Sequence, residues 1–240
     1  MCRTHRIHRE KALGDQRSDF EKDRDRILYS EYFKRLANVT QVIGPFEGYI
    51  FHNRLTHSLE VAQIARRIAE NITKLYPNSS EFIDPNICEA VSLGHDLGHP
   101  PFGHIGENAL NEMVIKAGNK DGFEGNAQTF RILTKLAINR PLIKGLNLSR
   151  AVLNGGLKYP WLKHEINQTR NKKFGAYRSE LSDFQFARES ILDDKKSFEA
   201  EIMDYADEVA YSVHDLSDFI RINLLPIGKL LNDEVFLLNL

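Results

Sequence analysis

Cysteine is scarce in this chain: its 240 residues include two, Cys2 and Cys88, far apart and with no C-x-x-C spacing. Neither a disulfide framework nor a thiolate zinc site is indicated; Cys88, set in an apolar run, reads as packing. Net charge is nearly absent too, at −1, so no overall field is available to hold a nucleic acid, and only local basic patches could do so. No window has the long uncharged apolar run of a membrane helix. The opening Met1-Cys2-Arg3-Thr4-His5-Arg6 lacks the apolar centre of a signal peptide, so the expected location is the cytoplasm, with no membrane partner. There is no internal repeat and no low-complexity tract. What is present is ordinary for a folded domain: 42% hydrophobic and 27% charged residues exclude disorder throughout and are enough for a sizeable core.

One stretch stands apart from this ordinary background. Gly94-His95-Asp96-Leu97-Gly98-His99-Pro100-Pro101-Phe102-Gly103-His104-Ile105-Gly106-Glu107 crowds three histidines, an aspartate and a glutamate among glycines and prolines. Such side chains are what a divalent metal and a phosphate ester would require nearby. An adjacent His-Asp pair can serve one metal only if the backbone bends there, and the Gly and Pro punctuation makes that bend available. Mixed nitrogen and oxygen donors leave the ion open among Mn, Mg, Fe, Co, Ni and Zn.

The rest of the chain reads as nearly all α-helix. Residues 1–19 lack apolar periodicity and are expected to form an N-terminal arm, with His5 and His8 solvated. Phe20, Ile27, Leu28, Tyr32, Phe33 and Leu36 predict an amphipathic helix running to about Ala37. A second runs from His57 to Leu75, with Thr56 as one candidate cap. Asp84-Pro85 marks the start of an apolar helix that ends on His95-Asp96. Further helices are expected from Ile105 to about Ala117 and from Ala127 to about Ile138. Residues 155–180, without a sustained period, read as a long surface loop. The last helix, from near Phe198 to before Pro226, carries Asp207, Tyr211 and Asp215 four residues apart on one slowly drifting face. The expected organisation is an arm over 1–19, a core over 20–225 with the long loop inside it, and a 226–240 segment that reads as the start of a truncated C-terminal region.

His57, His95-Asp96 and Asp207, each on or beside a helix, resemble the H…HD…D pattern of the HD-domain metal-dependent phosphohydrolases. More specific matches surround it: Arg17-Ser18-x-Phe20, Asp23-x-Asp25-Arg26-Ile27, Phe33-x-Arg35-Leu36, Thr40-Gln41-Val42, Asn53-Arg54-Leu55-Thr56-His57-Ser58, Glu124-Gly125-Asn126-Ala127-Gln128 and Asp207-Glu208-x-Ala210-Tyr211-Ser212. These look like successive motifs of the deoxyguanosinetriphosphate triphosphohydrolase (dGTPase) branch, over about Arg17 to Phe219. The residue before Thr40 is Val39, where the family often has lysine, and relatives generally continue beyond the position of Leu240.

The resemblance implies an all-α HD-domain fold and hydrolysis of a deoxynucleoside triphosphate to the deoxynucleoside and inorganic triphosphate. His57, His95, Asp96 and Asp207 would hold one divalent metal, which activates a water for in-line attack at the α-phosphorus. His104, oriented by Glu107, would protonate the departing 5′-oxygen, and His99 would contact phosphate or support His104. Arg54 would pair with phosphate; Gln41 and Asp215 would approach the sugar, with Tyr211 packing beneath it. His214 is assigned to structure or solvent. Relatives form oligomers and some respond to nucleotide or DNA effectors; here Arg3 to Arg9 and Arg170 to Lys173 are the basic candidates for such contacts. Two other outcomes fit the same residues: an HD phosphohydrolase acting on a different nucleotide, or a truncated, non-catalytic nucleotide-binding regulator.

Overall fold

The computed structural model describes residues 2–10, 14–39, 53–164, 166–189 and 193–221, with backbone alone at 168, 215, 218 and 221. Among the described residues ten α-helices follow one another: α1 (Asp19–Leu28), α2 (Glu31–Arg35), α3 (Arg54–Leu75), α4 (Pro85–Gly94), α5 (Gly103–Lys116), α6 (Gly125–Arg131), α7 (Arg150–Gly155), α8 (Gln168–Lys172), α9 (Leu181–Arg188) and α10 (Phe198–Arg221). Among the described residues there is no strand, only isolated bridges such as Arg6 with Ser149. No described helix is long and apolar enough to cross a membrane.

α4 lies at the centre, packed against α1, α3, α7 and α10. Asp84 accepts a hydrogen bond from Asn86 N and Pro85 fills the first helical position, as the dipeptide predicts. Ten residues are too few for a stable isolated helix; burial supplies the difference, since Ile87, Cys88, Ala90, Val91 and Leu93 are all essentially inaccessible. Each aliphatic side chain so buried stabilises the fold by about 1.5–3 kcal/mol. On one side, Cys88 joins Val61, Ala65 and Ala69 of α3 and Ile202, Ala206 and Ala210 of α10. On the other, Ile87, Val91 and Leu93 meet Ile27, Phe33 and Leu36 from the first helices.

Several boundaries differ from the periodicity. The first amphipathic helix is broken at Tyr29 because Ser30 caps a new one, its hydroxyl accepting from Phe33 N. α3 begins at Arg54, capped by Asn53 and not Thr56: Asn53 accepts from Thr56 N and the Thr56 hydroxyl accepts from Asn53 N, a reciprocal box that sets His57 in the first turn. α6 starts two residues early, on a Glu124 cap, and passes into a π-turn over Ile132–Leu136. Within 155–180, Leu157, Phe174, Ala176 and Tyr177 are buried, so this segment lines the core instead of leaving it. α9 lies where the periodicity predicts no helix.

The N-terminal residues 2–10 are tied to the body. Arg150 N and Ala151 N donate to the carbonyls of His5 and Arg3, at 2.7 and 3.0 Å. Arg6 pairs with fully buried Asp23, whose second oxygen accepts from Ser149 N at 2.8 Å. His5 and His8 themselves are exposed.

Candidate active site

α4 delivers His95 as its C-cap, and the chain then turns sharply over residues 95–98. The turn is locked onto α6: Gly98 N donates to Thr129 Oγ1 at 2.9 Å, and that hydroxyl donates to the His95 carbonyl at 3.1 Å. Only glycine fits at 98, because a Cβ there would lie 2.2 Å from both Gly125 O and Thr129 N. His95 Nδ1–H donates to Ser92 O at 2.7 Å, which fixes the ring and leaves Nε2 facing inward.

His57 from α3 and Asp207 from α10 meet that nitrogen. Their ligand atoms all lie within 4.8 Å of one another. His57 Nε2 is 3.0 Å from Asp207 Oδ1, and His95 Nε2 is 3.5 Å from the same oxygen. Burial disfavours both imidazolium forms. At His57 burial prevails and the pKa falls; at His95 the Asp96 and Asp207 carboxylates outweigh it and the pKa rises. Burial would also raise Asp207, yet the charge of His95, the hydrogen bonds from His57 and His95 and the Lys158 ammonium hold it well below the usual carboxylate range.

These residues fit a divalent cation. His95 Nε2 is buried without a hydrogen-bond partner, and two imidazoles with one carboxylate form the mixed donor set that intermediate divalent ions accept. Asp96, also expected as a ligand, stands beside the trio and not within it. One of its oxygens is taken by Arg54; the other lies 3.0 Å from His99 Nδ1 and 3.6 Å from His95 Nε2. Arg54 is therefore committed to Asp96 rather than open to a phosphate, although its buried Nε has no partner.

His104 and Glu107 share the first turns of α5, with Nδ1 3.1 Å from Oε2. Burial would raise the Glu107 pKa, but the Gly125 N–H, the Lys173 ammonium and His104 together hold it down to about 2. An ionised carboxylate only accepts, so the His104 Nδ1–H is the donor and Nε2 is left outward. The ring is 82% exposed, ready to meet a ligand. Tyr211 lies on α10 one turn beyond Asp207 and is half-exposed; the side chain of Asp215, and all of Gln41, fall outside the described residues. His214 is buried and paired with Glu60, a structural place.

Two lysines were missed. Lys158 sits 3.1 Å from Asp207 Oδ2 and 2.8 Å from Asp204 Oδ1. Lys173 bridges Glu107 and Glu124, each at 3.1 Å. No local pattern announces either one. The basic candidates for an effector are largely neutralised: Arg3 pairs with Glu199, Arg6 with Asp23, and Arg170 with Asp194 at 2.6 Å. A cavity of about 880 Å³ lies by the N-terminal segment, but Arg6, Arg17 and Arg26 on its wall are likewise paired with acids.

An HD-domain family profile matches residues 54–212, which span the trio, the His104–Glu107 pair and both lysines. The chain belongs to the HD-domain family. Within it, the chain is 47% identical over 208 residues to a deoxyguanosinetriphosphate triphosphohydrolase-like protein of Corynebacterium glutamicum (strain R), covering 85% of this chain and 46% of the relative. It is 44% identical over 212 residues to a protein of the same description from Streptomyces coelicolor, covering 84% and 47%. A deoxyguanosinetriphosphate triphosphohydrolase-like protein 2 of Vibrio cholerae matches at 41% over 222 residues, covering 90% and 50%. The chain thus spans about half the length of the curated relatives it matches.

Proposed function

We propose that this protein is a metal-dependent phosphohydrolase that cleaves deoxynucleoside triphosphates to the deoxynucleoside and inorganic triphosphate. The observation that carries the proposal is the convergence of His57, His95 and Asp207 from three helices on one buried point. The names of the relatives supply the substrate class.

His57, His95 and Asp207, with Asp96 beside them, would hold the divalent ion, which when bound supplies Lewis acidity toward phosphate oxygens and makes a water more acidic. The chain's own residues do the rest. His104 presents Nε2 outward and, when protonated, gives that proton to the 5′-oxygen as the bond to the α-phosphorus breaks. Glu107 accepts from Nδ1–H and stabilises the cationic ring before transfer. Lys158 pairs with Asp207 and Arg54 with Asp96, so each cation would hold a carboxylate in place beside the ion. His99 Nδ1, 3.0 Å from Asp96, flanks that carboxylate. Tyr211, half-exposed one turn from Asp207, would lie against the sugar; the family resemblance assigns Gln41 and Asp215 to the same subsite.

The test is product analysis by ion-exchange chromatography after incubation with each deoxynucleoside triphosphate and Mg or Mn. Deoxynucleoside with intact triphosphate is expected. Orthophosphate would point to a different nucleotide chemistry, and no turnover in a folded, metal-loaded sample would make the chain a binding protein.

A further inference from the structure

Away from the metal trio, the N-terminal segment, α7, α9 and the head of α10 border a cavity of about 610 Å³ that the proposed chemistry does not use. Asp207 lies more than two turns further along α10, and neither it nor His57 nor His95 lines this cavity. The volume is that of a small-molecule site, for which roughly 300–1,000 Å³ is usual. Phe82, just past the short turn Pro77–Glu81, and Phe198, the first residue of α10, stand at it with rings 6.3 Å apart and tilted by 55°. They are 56% and 57% exposed, so the fold covers neither. A lone exposed apolar residue needs no explanation, but two facing rings at a cavity form a surface that the apolar part of a ligand can cover. Ala151 and the buried Ala187 and Asn154 complete the wall between them.

Charge decides the kind of ligand. Each cation in the wall already has an acid: Arg3 has Glu199, Arg150 has Glu189, Lys196 has Asp204, and Lys195 has Asp193 at 3.8 Å. Glu81 and Glu201 are exposed, and among the described residues neither makes an ion pair. Arg3 does reach Glu81, but at the carbonyl, to which it donates at 3.0 Å. The charge left over is therefore negative. The head of α10 offers an anion no open place, because the Ser197 hydroxyl accepts from Ala200 N at 3.2 Å and Glu199 and Glu201 occupy the first turn. The aromatic faces lean the same way, since the ring quadrupole attracts a cation. Phenyl rings cannot ligate a metal ion, which needs several oxygen or nitrogen donors, but they suit methylene groups.

We propose that this cavity binds a small organic polycation: an alkyl chain bearing at least two ammonium groups, its methylenes laid on Phe82 and Phe198 and its charges met by Glu81 and Glu201. The site is separate from the metal trio and stands independently of the phosphohydrolase assignment.

The experiment is calorimetric titration of the full chain with spermidine as the probe, in buffer containing Mg to compete at any divalent-ion site. Saturable binding at one site is expected, with a rise in melting temperature as the probe is added. Glu81→Gln combined with Glu201→Gln should weaken binding on the order of tenfold. Phe82→Leu and Phe198→Leu keep apolar bulk but lose the ring face, and each should weaken it about 2–5-fold. All four positions are exposed, so these variants should melt with the wild type in the absence of the probe. Glu31→Gln combined with Glu112→Gln removes the same charge from exposed positions elsewhere and should bind as the wild type does. n-Butylamine, with one ammonium, should bind about tenfold more weakly than spermidine, and benzoate should not bind. Equal weakening by the Glu31 and Glu112 pair would reduce the effect to diffuse attraction and overturn the proposal. Undiminished binding without the Glu81 and Glu201 charges would overturn it too, as would butylamine binding as tightly as spermidine. Benzoate binding that Phe82→Leu abolishes would show that the cavity takes anions, and neither heat nor a melting shift with spermidine would show that it takes no polycation.

Discussion

His57 and His95 are 1% and 7% exposed and sit on helices packed against one another, whereas the His104 side chain is 82% exposed on α5 and is hydrogen-bonded to Glu107. The first group is fixed by the core itself. The second leans on the ionised Glu107 carboxylate, which the Gly125 N–H and the Lys173 ammonium also contact. The contrast matches the duties proposed for them: ligands must keep their place whatever approaches, while a group that exchanges a proton must reach solvent and substrate. Rigidity is supplied at one locus by burial and at the other by electrostatics.

The sharpest way to break this comparison is to remove one group from each side. Asp207→Ala takes away the carboxylate that both imidazoles face and is expected to bring bound metal to background and abolish turnover. Metal analysis of the purified variant checks this, and full metal content would show that the trio is not the centre. His104→Ala should keep the metal while lowering kcat by about 10²–10⁴-fold. If metal is lost along with activity, the two loci are not separate.

The smallest effect concerns stability and pH. Glu107 is held below its ordinary value of 4.5, down to about 2, so its charged form is favoured in the folded state. Its contribution to stability is therefore complete above pH 4.5 and is lost as pH falls toward 2. Urea unfolding of the wild type and Glu107→Gln should show a stability difference at neutral pH that narrows through this window. A difference that stays constant down to pH 2 would mean that Glu107 acts by packing and not by charge.

The two loci were also unequally legible before the structure. His95 and Asp96 could be placed at a helix end because Asp84-Pro85 and the apolar run after it are local signals, and α4 forms where they put it. Asp207 was legible as part of an acidic face on a long apolar helix. Lys173 and Lys158 were not, because each meets acids far along the chain and no local pattern links them. Lys173 instead looked like part of a basic surface cluster. The docking of residues 2–10 escaped notice for a related reason: it rests on the buried Arg6–Asp23 ion pair and on backbone hydrogen bonds, which leave no hydrophobic pattern. Where side chains pair by charge over long distances, periodicity is silent.

The contact between His57 and Asp207 spans 150 residues of chain. An ion gripped there would be a cross-link closing most of the fold into a loop, and the entropy it removes from the unfolded chain grows with the length enclosed. Both cysteines are free thiols, one exposed and one buried, so they supply no such staple. Metal loading would then raise the melting temperature of the whole protein with its free concentration, making the catalytic ion a part of the architecture as well as of the chemistry.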